Sequence, residues 1–245
     1  AAPGKVVDVK IQPTLKIDFN IDSVRAARPT QVNFKFIETT GGKNVTLFDE
    51  TPQVDVLPRD YLPLHRLVGA DSNKATLQNL GAWVTPNVKP VDEFLAKAKE
   101  RAPDRTFAGK QRATVPQVAA LFDELKARGV SYVMDPDVLS ERLKVQRTRL
   151  PADVLQSSNA QCLEGTLLFA TLMESIGLDP IIVLVPGHAF VGWGTAPKDK
   201  LAMPALFVET TMVGNATFEQ AVRVATQRVQ QEGGLGNFDT GVSKL

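Results

Sequence analysis

The hydrophobic residues of this chain change their spacing near residue 65, and that change limits the folds available to it. Before this point apolar and polar residues alternate in short runs, a spacing of two that is typical of half-buried antiparallel strands. The apolar members are Leu15, Ile17, Phe19 and Ile21, then Val32, Phe34 and Phe36, then Val45 and Leu47, then Val54 and Val56. Thr39–Asn44, which contains two glycines, is a hairpin-turn signal. We therefore predict that residues 1–66 form a small accessory β-sandwich.

The second part of the chain, residues 67–245, combines helical spacing with short apolar strands. Pro90–Ala98 and Pro116–Lys126 are predicted helices, and a capping box from Thr217 to Gln220 begins a final one. Three buried strands are predicted before that final helix: Ile181–Val185, His188–Trp193 and Ala205–Thr211. This mixture of helices and short antiparallel strands indicates an α+β fold.

Cys162 is the only cysteine in the chain, and it stands at the start of a predicted helix. Backbone N–H groups at a helix start, together with the positive end of the helix dipole, favour the reactive thiolate over the thiol. A single buried cysteine is more often a small hydrophobic residue. The position of Cys162 is therefore a reason to look for partners.

His188 and Glu209 are the candidate partners of Cys162. The chain has two histidines, and His188 opens a predicted strand that follows the cysteine helix. Glu209 lies inside the third predicted strand, where a carboxylate is costly unless it is paired or hydrogen-bonded. An imidazolium would offset that cost. The three residue types match a nucleophile, a base and a group that orients the base.

The order of these residues and the sequences around them resemble the transglutaminase-like branch of the papain-like cysteine hydrolases, in its bacterial form. The resemblance spans roughly residues 75–230, and its motifs are Gln161–Gly165, Leu172–Leu178, Pro186–Trp193 and Phe207–Thr211. It implies a papain-like core, in which a helix bearing the cysteine packs on an antiparallel sheet, as the catalytic domain over residues 67–245. It also implies that Cys162 is the nucleophile, His188 the general base and Glu209 the third member.

Glu209 departs from the family pattern, which usually has aspartate at this position. Because glutamate is one methylene longer, we expect it to be set back, or to tilt the ring, in order to reach Nδ1 of His188. The hydroxyl of Thr210 or Thr211 would hold it in place. The alternative is a strand carboxylate that faces water.

Acyl transfer also requires donors for the oxyanion, conventionally the backbone N–H of the nucleophile and one side-chain amide or hydroxyl. Gln156 lies six positions before Cys162, an offset that resembles the glutamine of papain-like enzymes. Gln161, directly before Cys162, is the other candidate. The alternative for both is a solvent-facing cap or loop residue.

These observations predict a cysteine-dependent acyl-transfer enzyme that acts on amide bonds of proteins or peptides and needs no cofactor. If water resolves the thioester, the protein is a peptidase or amidase, and if an amine does, it is a transglutaminase. We favour hydrolysis because water needs no dedicated acceptor site. The alternatives are a catalytically inactive binding module of the same fold and a purely structural adhesion protein.

Composition excludes several other classes. A net charge of +1 and the lack of a basic stripe argue against nucleic-acid binding. The sequence has no glycine-rich phosphate loop, no spacing typical of metal ligands and no apolar run long enough to span a membrane. The basic run Glu141–Arg149 is predicted to line a cleft, where Arg147 and Arg149 would favour an acidic substrate segment.

The start of the sequence bears on the cellular compartment. A single cysteine cannot form an internal disulfide, so cysteine usage does not decide it. Ala1–Gly4 is compatible with residues left after signal cleavage, or with an expressed fragment, and we expect an exported, periplasmic protein. The N-terminal domain would then tie the enzyme to an envelope component.

Overall fold

The computed structural model describes residues 20–63, 77–134, 139–140, 145–201 and 204–233. The chain divides into two compact units, the first ending at Arg59 and the second beginning at Asp60. Its fold is α+β, with five helices and several small, mostly antiparallel sheets in the described residues.

Four short strands lie in the described residues of the first unit. They are β1 (Arg28–Gln31), β2 (Phe34–Thr40), β3 (Lys43–Glu50) and β4 (Gln53–Val56). Strands β2 and β3 form an antiparallel hairpin, and β1 pairs antiparallel with β4. Gly41 and Gly42 form the hairpin turn with φ angles of 58° and 78°, which only glycine adopts without strain. The predicted turn at Thr39–Asn44 is therefore present.

The apolar side chains of this hairpin differ from the prediction of half-buried strands. Phe36 and Leu47 expose 64% and 56% of their surface. Within the described residues the strands form two separate two-stranded ladders, and a two-stranded ladder has little surface under which to bury side chains. The first alternating run, apart from Ile21, lies outside the described residues.

Five helices belong to the second unit: α1 (Lys89–Ala98), α2 (Val115–Ala127), α3 (Pro151–Ser157), α4 (Cys162–Ser175) and α5 (Phe218–Gln231). Helices α1, α2 and α3 each carry proline in the first turn, where the missing N–H costs nothing. Helix α5 has the predicted capping box, with the Gln220 N–H donating to Thr217 Oγ1 at 3.3 Å and the Thr217 N–H donating to Gln220 Oε1 at 2.9 Å.

The described part of this unit also has eight strands: β5 (Tyr61–Pro63), β6 (Ser131–Tyr132), β7 (Leu139–Ser140), β8 (Val145–Arg147), β9 (Asn159–Ala160), β10 (Pro180–Val185), β11 (His188–Gly194) and β12 (Ala205–Val208). The main sheet is antiparallel in the order β10, β11, β12, so the strand that begins with His188 lies in the middle. Gly187, with φ of 72°, closes the turn before it.

The third strand ends earlier than its sequence predicts. Strand β12 stops at Val208, and Glu209 caps a single 3₁₀ turn, Thr210–Met212. The Glu209 side chain accepts the Thr211 N–H at 3.1 Å. This local side-chain hydrogen bond competes with the strand ladder, which explains why the chain turns at this point.

The main sheet lies between α4 and α5. Val191 and Trp193 of β11 belong to the same buried cluster as the apolar residues of α4, whereas Phe190 packs with Ala225 and Val229 of α5. Alternate residues of one strand therefore serve two layers, as the period of a strand requires. Burying each large side chain stabilises the fold by about 1.5–3 kcal/mol. In the described parts of the chain, no helix combines the length and the apolar character that crossing a membrane requires.

Candidate active site

Cys162 is the first residue of α4 and is partly exposed. Burial raises the pKa of its thiol, but hydrogen bonds from His188 and from the backbone N–H of Ala189 outweigh this effect, so the pKa lies below its usual value. The start of a helix adds free N–H groups and the positive end of the dipole. These contacts therefore favour the thiolate form of Cys162.

His188 lies between Cys162 and Glu209. Its Nε2 atom is 2.7 Å from Oε2 of Glu209, and its ring is also hydrogen-bonded to Cys162. These hydrogen bonds, to Cys162 first and then to Glu209, raise the pKa of His188 to about 9 against the opposing effect of burial. The ring is a cation at neutral pH when its two neighbours are anions.

The expectation that Glu209 would contact Nδ1 of His188 is wrong. Glu209 takes Nε2, and the nitrogen left for Cys162 is Nδ1. Glu209 follows the end of β12, whose Val208 is paired with Val191 of the His188 strand. From that position the longer glutamate side chain reaches Nε2, the ring nitrogen that is not left for Cys162.

Glu209 is held on both of its oxygens. Its second oxygen, Oε1, accepts the Thr211 hydroxyl at 2.7 Å and the Thr211 N–H at 3.1 Å. The residue is 6% exposed, so it does not face water. Burial raises the pKa of this carboxyl, but the hydrogen bonds with His188 and Thr211 outweigh this effect, so the pKa lies below its usual value. Thr211, rather than Thr210, is thus the supporting threonine.

The two oxyanion candidates are placed differently. Gln161 is the N-cap residue of α4, and its backbone N–H donates to Oε2 of Glu164 at 3.1 Å. Gln156 is exposed on α3, and within the described residues no hydrogen bond joins it to Cys162. Only Gln161 is therefore tied to the first turn of the cysteine helix.

The preference of Arg147 and Arg149 for an acidic substrate segment stays a prediction, and the structure pairs both side chains within the chain. The Arg149 guanidinium is paired with the buried Glu164, with 2.6 Å between Nη2 and Oε2. Arg147 keeps an exposed side chain, but its Nε atom is 2.8 Å from Oδ2 of Asp60. Both charges already have partners within the chain.

Two aromatic residues near the site carry no signal in the sequence. Tyr132 is paired with Ala160 of β9, two residues before Cys162. Burial raises the pKa of the Tyr132 hydroxyl, and the charges of Cys162 and Glu209 raise it further. Trp83 packs in the same apolar cluster as Cys162 and donates its indole N–H to the Thr148 carbonyl at 2.9 Å. Both residues lie far from Cys162 along the chain, so the motifs around the cysteine do not reveal them.

In the portion of the chain that the structure describes, no three His, Cys, Asp or Glu side chains converge as metal ligands. Comparison of the chain with protein-family models, curated proteins and solved structures returned no match. The family resemblance therefore depends on the motifs alone.

Proposed function

We propose that this protein is a cysteine-dependent acyl-transfer enzyme that hydrolyses amide bonds of proteins or peptides. The observation that carries the proposal is the position of His188, hydrogen-bonded to Cys162 on one side and to the buried Glu209 on the other. A base between a nucleophile and an orienting acid is the arrangement that thiol catalysis requires.

The chemistry follows from the roles of these groups. The Cys162 thiolate attacks the carbonyl carbon, and the carbonyl electrons move to oxygen as the C–S bond forms. The backbone N–H of Cys162, with the side-chain amide of Gln161 or Gln156, would stabilise that oxyanion. The protonated His188 ring gives its proton to the leaving amine as the C–N bond breaks. Neutral His188 then takes a proton from water, which attacks the thioester and releases the acid and the thiolate.

We propose a papain-like, transglutaminase-like core for residues 67–245 and an accessory β-sandwich for residues 1–66. Three features support the proposed core. Cys162 begins a helix that packs on an antiparallel sheet, His188 begins the middle strand of that sheet, and Glu209 follows the neighbouring strand.

The test of this proposal is the rate of iodoacetamide labelling of the native protein from pH 5 to 9. We expect rapid labelling at pH 6 in the wild type, well below the usual thiol pKa of about 8.5. His188→Ala removes the imidazolium and moves the midpoint upward toward that value. Cys162→Ser, which has no thiol, is the control for labelling at other side chains.

A single midpoint near pH 8.5, identical in the wild type and in His188→Ala, would contradict an activated thiolate. An activated thiolate is then examined on a protein substrate containing a fluorescent primary amine. Release of new amino termini indicates hydrolysis, and incorporation of the amine indicates a transglutaminase. An activated thiolate that does neither on any protein or peptide supports the alternative of an inactive binding module.

A further inference from the structure

A buried ion pair lies in the first turn of the helix that carries Cys162. The Glu164 side chain is 1% exposed. Its Oε1 atom accepts the Nε–H of Arg149 at 2.9 Å, and its Oε2 atom accepts the Nη2–H at 2.6 Å. The backbone N–H groups of Arg149 and Gln161 donate to the same two oxygens at 2.8 and 3.1 Å. With four donors on one carboxylate, the cost of burying its charge is largely offset.

The Arg149 guanidinium also hydrogen-bonds to the segment that precedes Cys162. Arg149 Nη1 donates to the Ser157 hydroxyl at 2.8 Å, and Nη2 donates to the Asn159 carbonyl at 3.0 Å. Hydrogen bonding to Glu164 raises the pKa of Arg149, so its charge is permanent. One side chain thus joins the end of α3, strand β9 and the first turn of α4. The chain between these elements runs directly into Cys162.

An unpaired charge on Glu164 would act on the thiol as well as on the helix. Glu164 stands two residues after Cys162 in the same first turn. A carboxylate there stabilises the helix start, but alone it would repel a thiolate and raise the thiol pKa. Arg149 cancels this repulsion because its positive charge lies in direct contact with the Glu164 carboxylate. Glu164 can therefore bind the Gln161 N–H without opposing the nucleophile.

We propose that Arg149 and Glu164 are a positioning pair for Cys162. The pair fixes the position of the thiol at the helix start, and it removes the repulsion that an unpaired carboxylate would exert on the thiolate. Neither residue touches the substrate in this role. The inference rests on the proposed function of Cys162 as a nucleophile.

The test measures the labelling midpoint of Cys162 in four variants, with circular dichroism and thermal melting as checks of folding. Arg149→Met keeps the length of the side chain and leaves Glu164 charged, so we expect the midpoint to rise by about one unit, which is about tenfold slower labelling at pH 6. Arg149→Met combined with Glu164→Gln removes both charges, and the midpoint returns toward the wild-type value. Arg149→Lys keeps the charge but not the bidentate contact, so we expect its midpoint to lie between those of the wild type and Arg149→Met.

Glu164→Gln alone tests the same idea in the opposite direction. The amide keeps the shape of the side chain, and Arg149 is left as an unpaired cation near the thiol. We expect a lower midpoint and faster labelling below pH 6. This variant decides the question if Arg149→Met does not fold.

A pair with only a structural role would lower the melting temperature in these variants and leave the midpoint of each folded one unchanged. That result would overturn the inference. Failure of the proposed function is a different result, because it leaves the wild type and His188→Ala with the same midpoint. A low wild-type midpoint that is unaffected by Arg149→Met and by Glu164→Gln would reject the positioning pair alone.

Discussion

At the scale of single residues, the site depends on which partner each nitrogen of the His188 ring contacts. His188 uses Nε2 for Glu209, which leaves Nδ1 for Cys162. Glu209 is itself held by two hydrogen bonds from Thr211, so the ring has a fixed partner behind it. An orienting carboxylate favours the imidazolium and thereby the thiolate. The extra methylene of glutamate is accommodated by the position of Glu209 beyond the strand end.

If His188 and Cys162 act as we propose, removing the charge of Glu209 should weaken both the base and the nucleophile. In Glu209→Gln the pKa of His188 falls, because one of the two groups that raise it is neutral. We expect peptide hydrolysis to drop by about 10²–10⁴-fold, the usual contribution of an acid–base group such as His188, which Glu209 orients. The measurement is the pH dependence of kcat/KM. Glu219→Gln, at an exposed position on α5, is the matched control, and equal losses in the two variants would contradict the role of Glu209.

At the scale of elements, the central strand β11 must pack closely on β12. A Cβ atom at Gly192 would lie 2.5 Å from the ring of Phe207, far inside van der Waals contact. Phe207 is almost fully buried and packs in the cluster beneath α5, so its ring has little room to move. The absence of a side chain at Gly192 therefore allows this ring to cover the strand that begins with His188.

Gly192→Ala should destabilise the protein by about 1–3 kcal/mol, the usual cost of adding atoms to a packed core. Urea unfolding of the purified variant measures this loss. Gly194→Ala in the same strand is the control, because a Cβ atom there has no neighbour within 4 Å. Phe207→Leu, combined with Gly192→Ala, should recover part of the loss. Equal stability of the two alanine variants would show that Phe207 adjusts without cost.

At the scale of the whole molecule, the thiol and the ring contribute opposite terms to the pH dependence of stability. The pKa of His188 is raised to about 9 in the folded state, so its contribution is complete below about 6.5 and is lost as the pH rises through 9. The lowered pKa of Cys162 acts in the other direction, since the folded thiolate gains stability as the pH rises toward the unfolded thiol pKa. Between these values the two terms oppose each other.

Cys162→Ser should expose the histidine term. With the thiol gone, Glu209 still raises the pKa of His188, and no opposing thiol remains. We expect the free energy of unfolding of this variant to fall as the pH rises from 6 to 9, whereas the wild type changes less. Urea unfolding at both pH values provides the measurement. Cys162→Ser combined with His188→Gln should remove the slope, and a slope that persists there would assign it to other groups.

Local patterns in the sequence determined a large part of this fold and of its candidate site. Glycine and proline positions, capping residues and apolar spacing predicted the turn at Gly41–Gly42, the helices α1, α2 and α5, and the placement of Cys162 and His188 at the starts of their elements. These features depend on residues within a few positions of one another. Backbone geometry and capping chemistry act over that range, so a single sequence is sufficient to read them.

Only the tertiary structure decided which atoms meet. The choice of Nε2 for Glu209, of Thr211 over Thr210 and of Glu164 as the partner of Arg149 could not be read from spacing, nor could the exposure of Phe36. Each depends on residues that are distant in the chain, or on the position at which a strand gives way to a turn. Strand register and helix packing set the distances between these groups, and the energies of hydrogen bonds and buried charges depend on those distances.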